Sequence, residues 1–373
     1  IGRSGLSFAG KTALVTGCGR GSIGSGILQG LLAGGAKVIA TTSSYNRRSL
    51  QFFEDLYKQF GARGSELVVV PYNQGSLRDV QALVQYVYSP QGLGWDLDYA
   101  VPFAATSEIG KDITGIDSKS ELALRIMLTN TLRLLGEIKL AKVAHGHTSS
   151  PVLAIVPMSP NHGVFGGDGL YGECKAGLET LFNRWNIESW AEYISVAGAV
   201  IGWTRGTNMM DANDMNAYAA EKSGMRSFST KEMAFNILGL MAAPMAALAD
   251  TTPVWADFNG GFQLFVDSGS TLVNIRSALI DESAARKAIA SASLHDHNVV
   301  HQRSVEKVVK KQRAQPLAKH RFENPKVKAY EQLEHLRKLE GLVNLDTVVV
   351  ATGYGEVGAY GNAETRWEIE AHG

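Results

Sequence analysis

Short apolar runs alternate with longer amphipathic stretches through most of this sequence. Each run places apolar residues at successive positions, as in a strand that is buried on both faces of a sheet. The pattern therefore predicts strands at Thr12–Thr16, Lys37–Thr42, Leu67–Pro71, Tyr99–Ala104, Val152–Val156 and Ile194–Val200.

The stretches between these runs have the apolar spacing of helices. They predict helices at Gly24–Ala33, Ser49–Phe60, Leu77–Tyr88, Lys119–Leu140 and Leu170–Trp185. Strands and helices in alternation indicate an α/β fold of the Rossmann type, a doubly wound parallel sheet with right-handed crossovers. A capping-box pattern at Ser229–Glu232 predicts a further helix, and Pro253–Phe262 predicts a last strand with a turn at Gly260–Gly261.

The pattern changes after about residue 280, and we predict three regions. Residues 1–280 form the sheet domain. From Asp281 the sequence becomes alanine-rich and then basic, which predicts a solvated helical linker over residues 281–341. The alternative is a surface for nucleic acid or an acidic partner, but the basic run Lys307–Arg321 has no interleaved aromatic residue. Within residues 342–373, the stretch Leu345–Gly355 is predicted to be a strand that enters a turn, which indicates the opening of another module.

Composition and charge exclude several classes of protein. The 373 residues, 45% of them hydrophobic, are enough for one large core or two ordinary ones. The formal net charge is zero, so neither nucleic acid nor an anionic membrane is expected as a partner. The longest apolar run, Met233–Ala249, contains Asn236 and Pro244 and is too short to span a membrane. It predicts a buried pair of helices.

The cysteine content indicates a reducing compartment. Cys18 and Cys174 are too few for a disulfide framework or a sulfur-rich metal site, so we expect free thiols and a cytoplasmic location. The chain begins with Ile1 rather than methionine, which indicates a segment of a longer protein.

A glycine-rich stretch lies between the first predicted strand and the first predicted helix. In this position a glycine turn lets backbone amides approach a pyrophosphate at the positive end of the helix macrodipole. A turn that only packs closely is the alternative, but the place directly after the first strand favours phosphate binding. We therefore predict contacts to the phosphates of a dinucleotide from Gly17, Gly19, Gly21, Ser22, Ile23 and Gly24.

The end of the second predicted strand indicates which dinucleotide is bound. An NAD site has a carboxylate here for the ribose hydroxyls. The segment Thr41–Arg48 has hydroxyls and two arginines instead, and these groups suit the 2′-phosphate of NADP. We predict contacts from Thr42, Ser43, Ser44 and Arg47, with Arg48 as a further candidate. The alternative is that the arginines only solvate a helix start.

Tyr171 and Lys175 are the candidates for proton transfer. Their four-residue spacing places both on one face of a helix. A tyrosine whose pKa is lowered by a neighbouring ammonium group can protonate the alkoxide that forms when a ketone accepts hydride. Ser159 follows the fifth predicted strand, at the edge of the sheet where ligands of such folds bind.

Other polar residues are weaker candidates. Asn130 lies inside a predicted helix, where asparagine is a mediocre helix former and invites a hydrogen-bonding explanation. We interpret His162 as a hydrogen-bonding loop residue rather than a base. The spacing of Tyr171 and Lys175 recurs at Tyr218 and Lys222, but no strand end that bears a serine precedes that second pair at a suitable distance.

With these residues in place, residues 10–280 resemble short-chain dehydrogenases/reductases, and more narrowly the ketoreductase domain of fungal fatty acid synthase alpha subunits. The narrower resemblance depends on longer strings, including Gly21–Gly24, Gly61–Ser65, Gly94–Asp98, Asp117–Leu122, Ser159–Gly163 and Ile201–Thr207. The tail is similar as well, since Thr352–Gly358 and Thr365–Glu368 resemble the start of the ketosynthase domain.

The resemblance implies reduction of a 3-ketoacyl thioester on acyl carrier protein with NADPH, among other domains and subunits of a synthase particle. It implies that Tyr171 donates the proton, that Lys175 binds the nicotinamide ribose and lowers the tyrosine pKa, that Ser159 holds the carbonyl and that Asn130 supports a relay water. It adds to the cofactor contacts the residues Asn73, Ala104 and Gly202. It implies no ketosynthase activity, since both cysteines lie in the reductase part.

Three positions depart from the pattern of the resembled proteins. Ile23 stands where the glycine motif ends on glycine, Ser44 where close relatives tend to carry arginine, and Ile201 where proline is usual. Two other functions stay open, a catalytically silent structural domain and an enoyl reductase on the same fold. The presence of Asn130, Ser159, Tyr171 and Lys175 argues against the first, and the tyrosine–lysine spacing argues against the second.

Overall fold

Seven parallel strands form one sheet in the order β3-β2-β1-β4-β5-β6-β9. The computed structural model describes residues 6–147, 150–164, 166–207, 217, 221, 224–262 and 269–300. The strands of the sheet are β1 (Thr12–Thr16), β2 (Lys37–Thr42), β3 (Glu66–Pro71), β4 (Tyr99–Pro102), β5 (Val152–Met158), β6 (Ile194–Ile201) and β9 (Val254–Phe258). Two short strands, β7 (Thr204–Arg205) and β8 (Phe228–Ser229), pair with each other. The predicted doubly wound sheet is confirmed.

Helices cover both faces of this sheet. The described helices before β9 are, in chain order, α1 (Ile23–Ala33), α2 (Arg47–Phe60), α3 (Leu77–Tyr88), α4 (Ser118–Leu124), α5 (Asn130–His145), α6 (Tyr171–Ile187), α7 (Thr230–Leu240) and α8 (Ala243–Ala249), and α9 (Gly269–Val300) follows β9. One core cluster joins Ile27 of α1 and Ile237 of α7. The other joins Val84 of α3, Leu135 of α5 and Leu178 of α6. The sheet is therefore buried on both sides, as its apolar strands predict.

Side-chain caps fix where the helices begin. Ser22 accepts a hydrogen bond from the amide of Ser25 at the start of α1, and Asn46 does the same for Ser49 in α2. The predicted capping box is confirmed at α7, where the Ser229 and Glu232 side chains each bond to the other's backbone amide. These caps hold the carboxyl-edge loops in register with the helices that follow them.

The long helix predicted at Lys119–Leu140 is confirmed, with one irregularity: a π-helical turn at Arg125–Thr129 joins α4 to α5. The turn closes with a hydrogen bond from the Asn130 amide to the Arg125 carbonyl, one residue longer than in an α-helix. Thr129 and Asn130 have right-handed helical dihedrals, so Asn130 lies inside the continuous helix, as predicted.

Two predicted strands are longer than the observed ones. The strand predicted to reach Ala104 ends at Pro102, because the Phe103 amide turns back to the Val101 carbonyl. The last strand ends at Phe258, and the predicted glycine turn follows it, with both Gly260 and Gly261 at positive φ.

The apolar run Met233–Ala249 forms the predicted helix pair, α7 and α8, which bend by 60° relative to each other. Among the described residues no single helix has the length and apolar composition of a membrane span, and this bent pair meets that test only when its two helices are joined. Helix α9 runs through position 280, where the first of the predicted boundaries lies. The division into residues 1–280, 281–341 and 342–373 stays a prediction.

Candidate active site

A cleft of about 530 Å³ opens at the carboxyl edge of β1, β4, β5 and β6. We call the part next to the glycine turn the phosphate end; its predicted members are Gly17, Gly19, Ser22, Ile23, Gly24 and Ser43. We call the opposite part the reaction end; its predicted members are Ser159, Tyr171, Lys175 and Gly202. The structure thus gathers most of the predicted site residues around one cavity.

Three of the four glycines in the turn at the phosphate end differ in the space around them. Gly17 has a φ of +66°, and a Cβ there would lie 2.6 Å from the Ala104 nitrogen. A Cβ on Gly24 would lie 2.6 Å from the Gly17 carbonyl oxygen. At Gly19 a Cβ would meet no described atom within 4 Å. The first two glycines let the turn fold, whereas Gly19 leaves open space in the cleft.

The departure at Ile23 fits this geometry. Helix α1 begins at Ile23, directly after its cap Ser22, and Gly24 makes the close contact that the resembled motif assigns to its last glycine. The amino end of α1 therefore faces the cleft. The first amides of a helix have no carbonyl partner within it, and this arrangement suits a phosphate. Gly21, at a φ of +75°, supports the turn without lining the cleft.

The residues predicted to contact a 2′-phosphate separate in the structure. Ser43 lines the cleft, whereas Thr42, Ser44 and Arg47 do not. Thr42 and Ser44 bond to each other, since the Ser44 amide donates to the Thr42 hydroxyl oxygen at 3.2 Å. Arg47 is the exposed first residue of α2.

Arg20 is a cleft residue that the sequence analysis missed. It lies within the glycine turn, and its guanidinium is 5.0 Å from the centroid of the Phe52 ring. The stacking places a cation between the turn and α2, where an anionic group beyond the second strand would lie. Its position inside the glycine motif was the signal that could have predicted it. The sequence analysis assigned the 2′-phosphate to the arginines after β2 instead.

Of the three cofactor contacts that the resemblance implied, one lines the cleft and two do not. Gly202 lines the cleft, and a Cβ there would lie 2.6 Å from the Phe258 carbonyl oxygen. Ala104 lies behind the cleft, where its amide donates to the Thr16 hydroxyl at 3.1 Å. Asn73 is exposed, and its side chain accepts from the Gly75 amide.

Three side chains meet at the reaction end. Tyr171 is the first residue of α6, and Lys175 follows one turn later on the same face. The Lys175 ammonium nitrogen is 5.5 Å from the centroid of the Tyr171 ring and donates to the Pro157 carbonyl at 2.8 Å. Ser159 follows β5 and forms a hydrogen bond with Tyr171. This arrangement can hold a carbonyl oxygen at two hydroxyl groups and deliver a proton to it.

Burial is the main influence on the electrostatics of this group. Burial raises the pKa of Tyr171, the hydrogen bond with Ser159 acts against that rise, and the charge of Asp168 adds to it. Burial also lowers the pKa of Lys175, to about 8. Burial is the largest cause of the Tyr171 shift, and the prediction that Lys175 lowers the tyrosine pKa stays a prediction.

Asn130 does not line the cleft. It is fully buried, and its side-chain amide donates to the Gln74 carbonyl at 2.6 Å while its oxygen accepts from Arg133 at 3.0 Å. The asparagine joins the π-helical turn to the loop after β3. Its predicted part in a proton relay stays a prediction.

The other polar candidates and the two cysteines are not expected to take part in proton transfer. His162 pairs with Glu179 at 2.7 Å, as expected of a hydrogen-bonding loop residue. Tyr218 and Lys222 lie outside the described residues. Cys18 and Cys174 are free and buried, and burial raises their pKa to about 12 and about 11. Neither thiol is suited to act as a nucleophile.

Further residues that line the cleft were not among the predicted site residues. They include Glu108, Asp168, Trp203 and Thr204. Asn161, which lies two residues after Ser159, donates a hydrogen bond to the Asp168 carboxylate at 2.7 Å. The rule that identified Ser159, a polar side chain after the carboxyl end of a strand, also applies to Glu108 after β4 and Thr204 after β6.

Sequence comparison relates the chain to one group of proteins. It is 51% identical over 372 residues to fatty acid synthase subunit alpha of Schizosaccharomyces pombe. It is 52% identical over 374 residues to that of Penicillium patulum and 48% identical over 375 residues to that of Saccharomyces cerevisiae. The matches cover 99–100% of this chain and 20% of each relative, so the chain spans about one fifth of the length of the curated relatives it matches. No protein-family model matches it.

Structural comparison relates the fold to short-chain dehydrogenases/reductases. One such protein from Mycobacterium ulcerans is similar with a TM-score of 0.57 and 24% identity, covering 70% of this chain and 92% of that one. The Pseudomonas aeruginosa RhlG/NADP complex is similar with a TM-score of 0.55 and 25% identity, covering 69% and 97%. The seven-stranded sheet and its flanking helices have this fold.

Proposed function

Because the chain is a homologue of a segment of fungal fatty acid synthase alpha subunits, with a short-chain dehydrogenase/reductase fold, we propose that it is a ketoreductase. It reduces a 3-ketoacyl group, held as a thioester on acyl carrier protein, to the 3-hydroxyacyl group with NADPH. Its surroundings are the other domains and subunits of a synthase in the cytoplasm. Homology over the whole chain supports the assembly, and the cleft supports the reaction.

The observation that carries this proposal is the meeting of Ser159, Tyr171 and Lys175 at the reaction end of one cleft whose phosphate end is a glycine turn. A dinucleotide laid along this cleft has phosphate-binding amides at one end and a proton donor at the other. Reduction of a carbonyl needs both, because hydride and proton must arrive at the same double bond.

The residues of the phosphate end fit NADPH. Gly19 leaves room beside the turn, the amino end of α1 offers amides, and Ser43 and Arg20 supply a hydroxyl and a cation for a 2′-phosphate. The structurally similar RhlG protein forms a complex with NADP, which supports the same choice here. When bound, NADPH supplies the hydride.

The residues of the reaction end handle the proton. Ser159 and Tyr171 donate hydrogen bonds to the ketone oxygen, which polarises the carbonyl. As the carbonyl carbon gains hydride, the Tyr171 hydroxyl proton passes to the oxygen, so the O–H bond of Tyr171 breaks and the alcohol O–H bond forms. The Lys175 cation stabilises the resulting tyrosinate, which regains its proton from water.

Two other functions make different predictions for the same experiment. A structural domain oxidises NADPH with neither of two acyl thioesters, and an enoyl reductase oxidises it with a 2-enoyl thioester. The decisive assay follows NADPH absorbance with a short 3-ketoacyl thioester and with the matching 2-enoyl thioester. We expect turnover with the first only, and turnover with the second only would reject the proposal.

The role of acyl carrier protein needs a separate comparison. The same 3-ketoacyl group is offered on acyl carrier protein and on a free pantetheine thiol. We expect a lower KM for the carrier-bound substrate with a similar kcat, since the carrier adds binding contacts outside the reacting group. Equal KM values would remove the carrier from the proposal while leaving the reduction in place.

A further inference from the structure

Glu108 brings a buried carboxylate to the reaction end of the cleft. It lies in the loop after β4 and lines the same cavity as Ser159 and Tyr171. Its side chain is only 3% exposed. A carboxylate is costly to bury unless its partners compensate for the lost water, so its position calls for a specific role.

The two oxygens of this carboxylate have unequal surroundings. Oε1 pairs with the Lys111 ammonium group at 3.1 Å. Oε2 is buried and, within the part of the chain that the structure describes, has no hydrogen-bond partner. The same lysine also binds Asp117 at 2.7 Å and the Ser120 hydroxyl at 3.0 Å. Lys111 therefore ties Glu108 to the start of α4.

The backbone around this ion pair is joined to the loop that leads into α6. The amides of Gly110 and Lys111 donate to the Gly167 carbonyl at 2.8 and 3.0 Å, and the Gly169 amide donates back to the Lys111 carbonyl at 2.9 Å. Lys111 and Asp168 form a parallel bridge. We call these three hydrogen bonds the loop ladder.

Glu108 itself packs against the end of the ladder. A Cβ on Gly169 would lie 2.9 Å from the Glu108 Cβ and would also collide with Oε2. Gly169 has a φ of +57° and stands two residues before Tyr171, whose amide donates to the Asp168 carbonyl at 3.0 Å. The Glu108 side chain thus lies against the backbone that sets where α6 and its first side chain begin.

We propose that Glu108 and Lys111 are a positioning pair for the proton donor: their ion pair holds the loop ladder, and the ladder fixes Tyr171 beside Ser159. The pair acts through the backbone of Gly167–Gly169 and does not touch the reacting atoms. This inference rests on the proposed ketone reduction for its catalytic consequence, although the hold on the loop is a property of the protein alone.

The experiment compares Glu108→Gln, Lys111→Met and the double variant with the wild type. Each single variant removes the ion pair while keeping most of the side-chain volume. We expect kcat for the 3-ketoacyl thioester to fall about 10- to 100-fold, the size typical of a displaced catalytic group, with an unchanged Kd for NADPH. The double variant should be no slower than the slower single variant, because both substitutions break one interaction.

Amide hydrogen exchange provides a readout that does not depend on turnover. Exchange at Gly110, Lys111 and Gly169, the donors of the loop ladder, should become faster in both single variants. Asp117→Asn is the matched control, since it removes the other carboxylate of Lys111 but keeps a helix-capping side chain. It should leave kcat and the exchange of these amides within about twofold of the wild type.

The outcomes separate this inference from the proposed function. A wild-type chain that reduces no 3-ketoacyl thioester rejects the function, and amide exchange then still decides whether the pair holds the loop. If the wild type is active, a Glu108→Gln variant with unchanged kcat rejects the positioning role. A lower kcat with unchanged exchange at the ladder rejects it too, as does a double variant whose loss is the product of the single losses.

Discussion

At its phosphate end the cleft is formed by backbone, whereas at its reaction end it is formed by buried, titratable side chains. The phosphate end depends on places where a side chain is excluded, such as Gly17 and Gly24. The reaction end holds the Lys175 ammonium group and the Glu108 carboxylate, which are both at least nine-tenths buried. One end selects a ligand by shape, and the other prepares a reaction by charge.

This difference has an energetic side. Excluding a side chain costs little once the turn is folded, because glycine adopts positive φ without strain. Burying an ammonium group costs free energy in every folded molecule, whether or not a substrate is present. The reaction end should therefore be the part of the molecule where function and stability oppose each other.

The largest effect should come from Tyr171→Phe, which tests whether the reaction end works by proton donation. The change removes the hydroxyl group and almost no volume. We expect kcat to fall by about 10²- to 10⁴-fold, the range for loss of a general acid, while the Kd for NADPH stays the same. Steady-state kinetics and cofactor titration check both. A loss below about tenfold would assign the proton to another group.

Lys175→Met tests whether function and stability oppose each other at the reaction end. We expect it to raise the stability of the folded protein and to remove its activity. Burial lowers the Lys175 pKa from 10.5 to about 8. The unfolded chain therefore binds the proton more tightly than the folded one, which corresponds to a cost of about 3 kcal/mol below pH 8. Urea unfolding at pH 7 should show the variant to be more stable by about 1–3 kcal/mol, the lower value reflecting the lost bond to Pro157.

The stability difference between the wild type and Lys175→Met should depend on pH. Between pH 8 and 10.5 the unfolded state holds more protons at Lys175 than the folded state, so this group makes the wild type more stable as pH rises. The advantage of Lys175→Met should accordingly shrink over that range. An advantage that stays constant from pH 7 to pH 10 would mean that Lys175 is not a buried cation.

The two ends also differ in how far the sequence predicts them. The bounds of β1 and β2 and the glycine turn between β1 and α1 were predicted correctly, because a buried strand and a turn rich in glycine are evident in the sequence. The rise of the Tyr171 pKa through burial could not be predicted, because burial depends on what the fold packs around the hydroxyl. Charge at a site is a tertiary property, even where the residues that carry it are evident.

The π-helical turn between α4 and α5 makes the same point for backbone. Nothing in the residue types at Arg125–Thr129 distinguishes a π-helical turn from an α-helix. The extra residue is accommodated where Asn130 reaches the Gln74 carbonyl, a contact between segments far apart in sequence. Glu108 was missed for a similar reason, since its partner Lys111 and its contact Gly169 follow no repeating spacing.

Gly17→Ala and Gly19→Ala form a pair that tests the phosphate end. Alanine at Gly17 meets the backbone of Phe103 and Ala104 at a positive φ, so we expect about 2 kcal/mol of lost stability or more. Alanine at Gly19 enters open space, so stability should change by less than about 0.5 kcal/mol while NADPH binds more weakly. Thermal unfolding with and without NADPH separates the two. Equal losses of stability would contradict the distinction between folding and ligand glycines.

Arg20→Ala tests whether the phosphate end also uses charge, and its effect should be confined to the choice between the two cofactors. Arg20 lines the cleft and Arg47 does not, so the preference for NADPH over NADH should depend on Arg20. One charge-assisted contact is worth about 1.5–3 kcal/mol, so the ratio of kcat/KM values should fall at least about tenfold. Arg63→Ala, on an exposed residue before β3, is the control and should keep the ratio. If the ratio falls instead in Arg47→Ala, the 2′-phosphate is bound by the start of α2, and the sequence-based assignment is the better one.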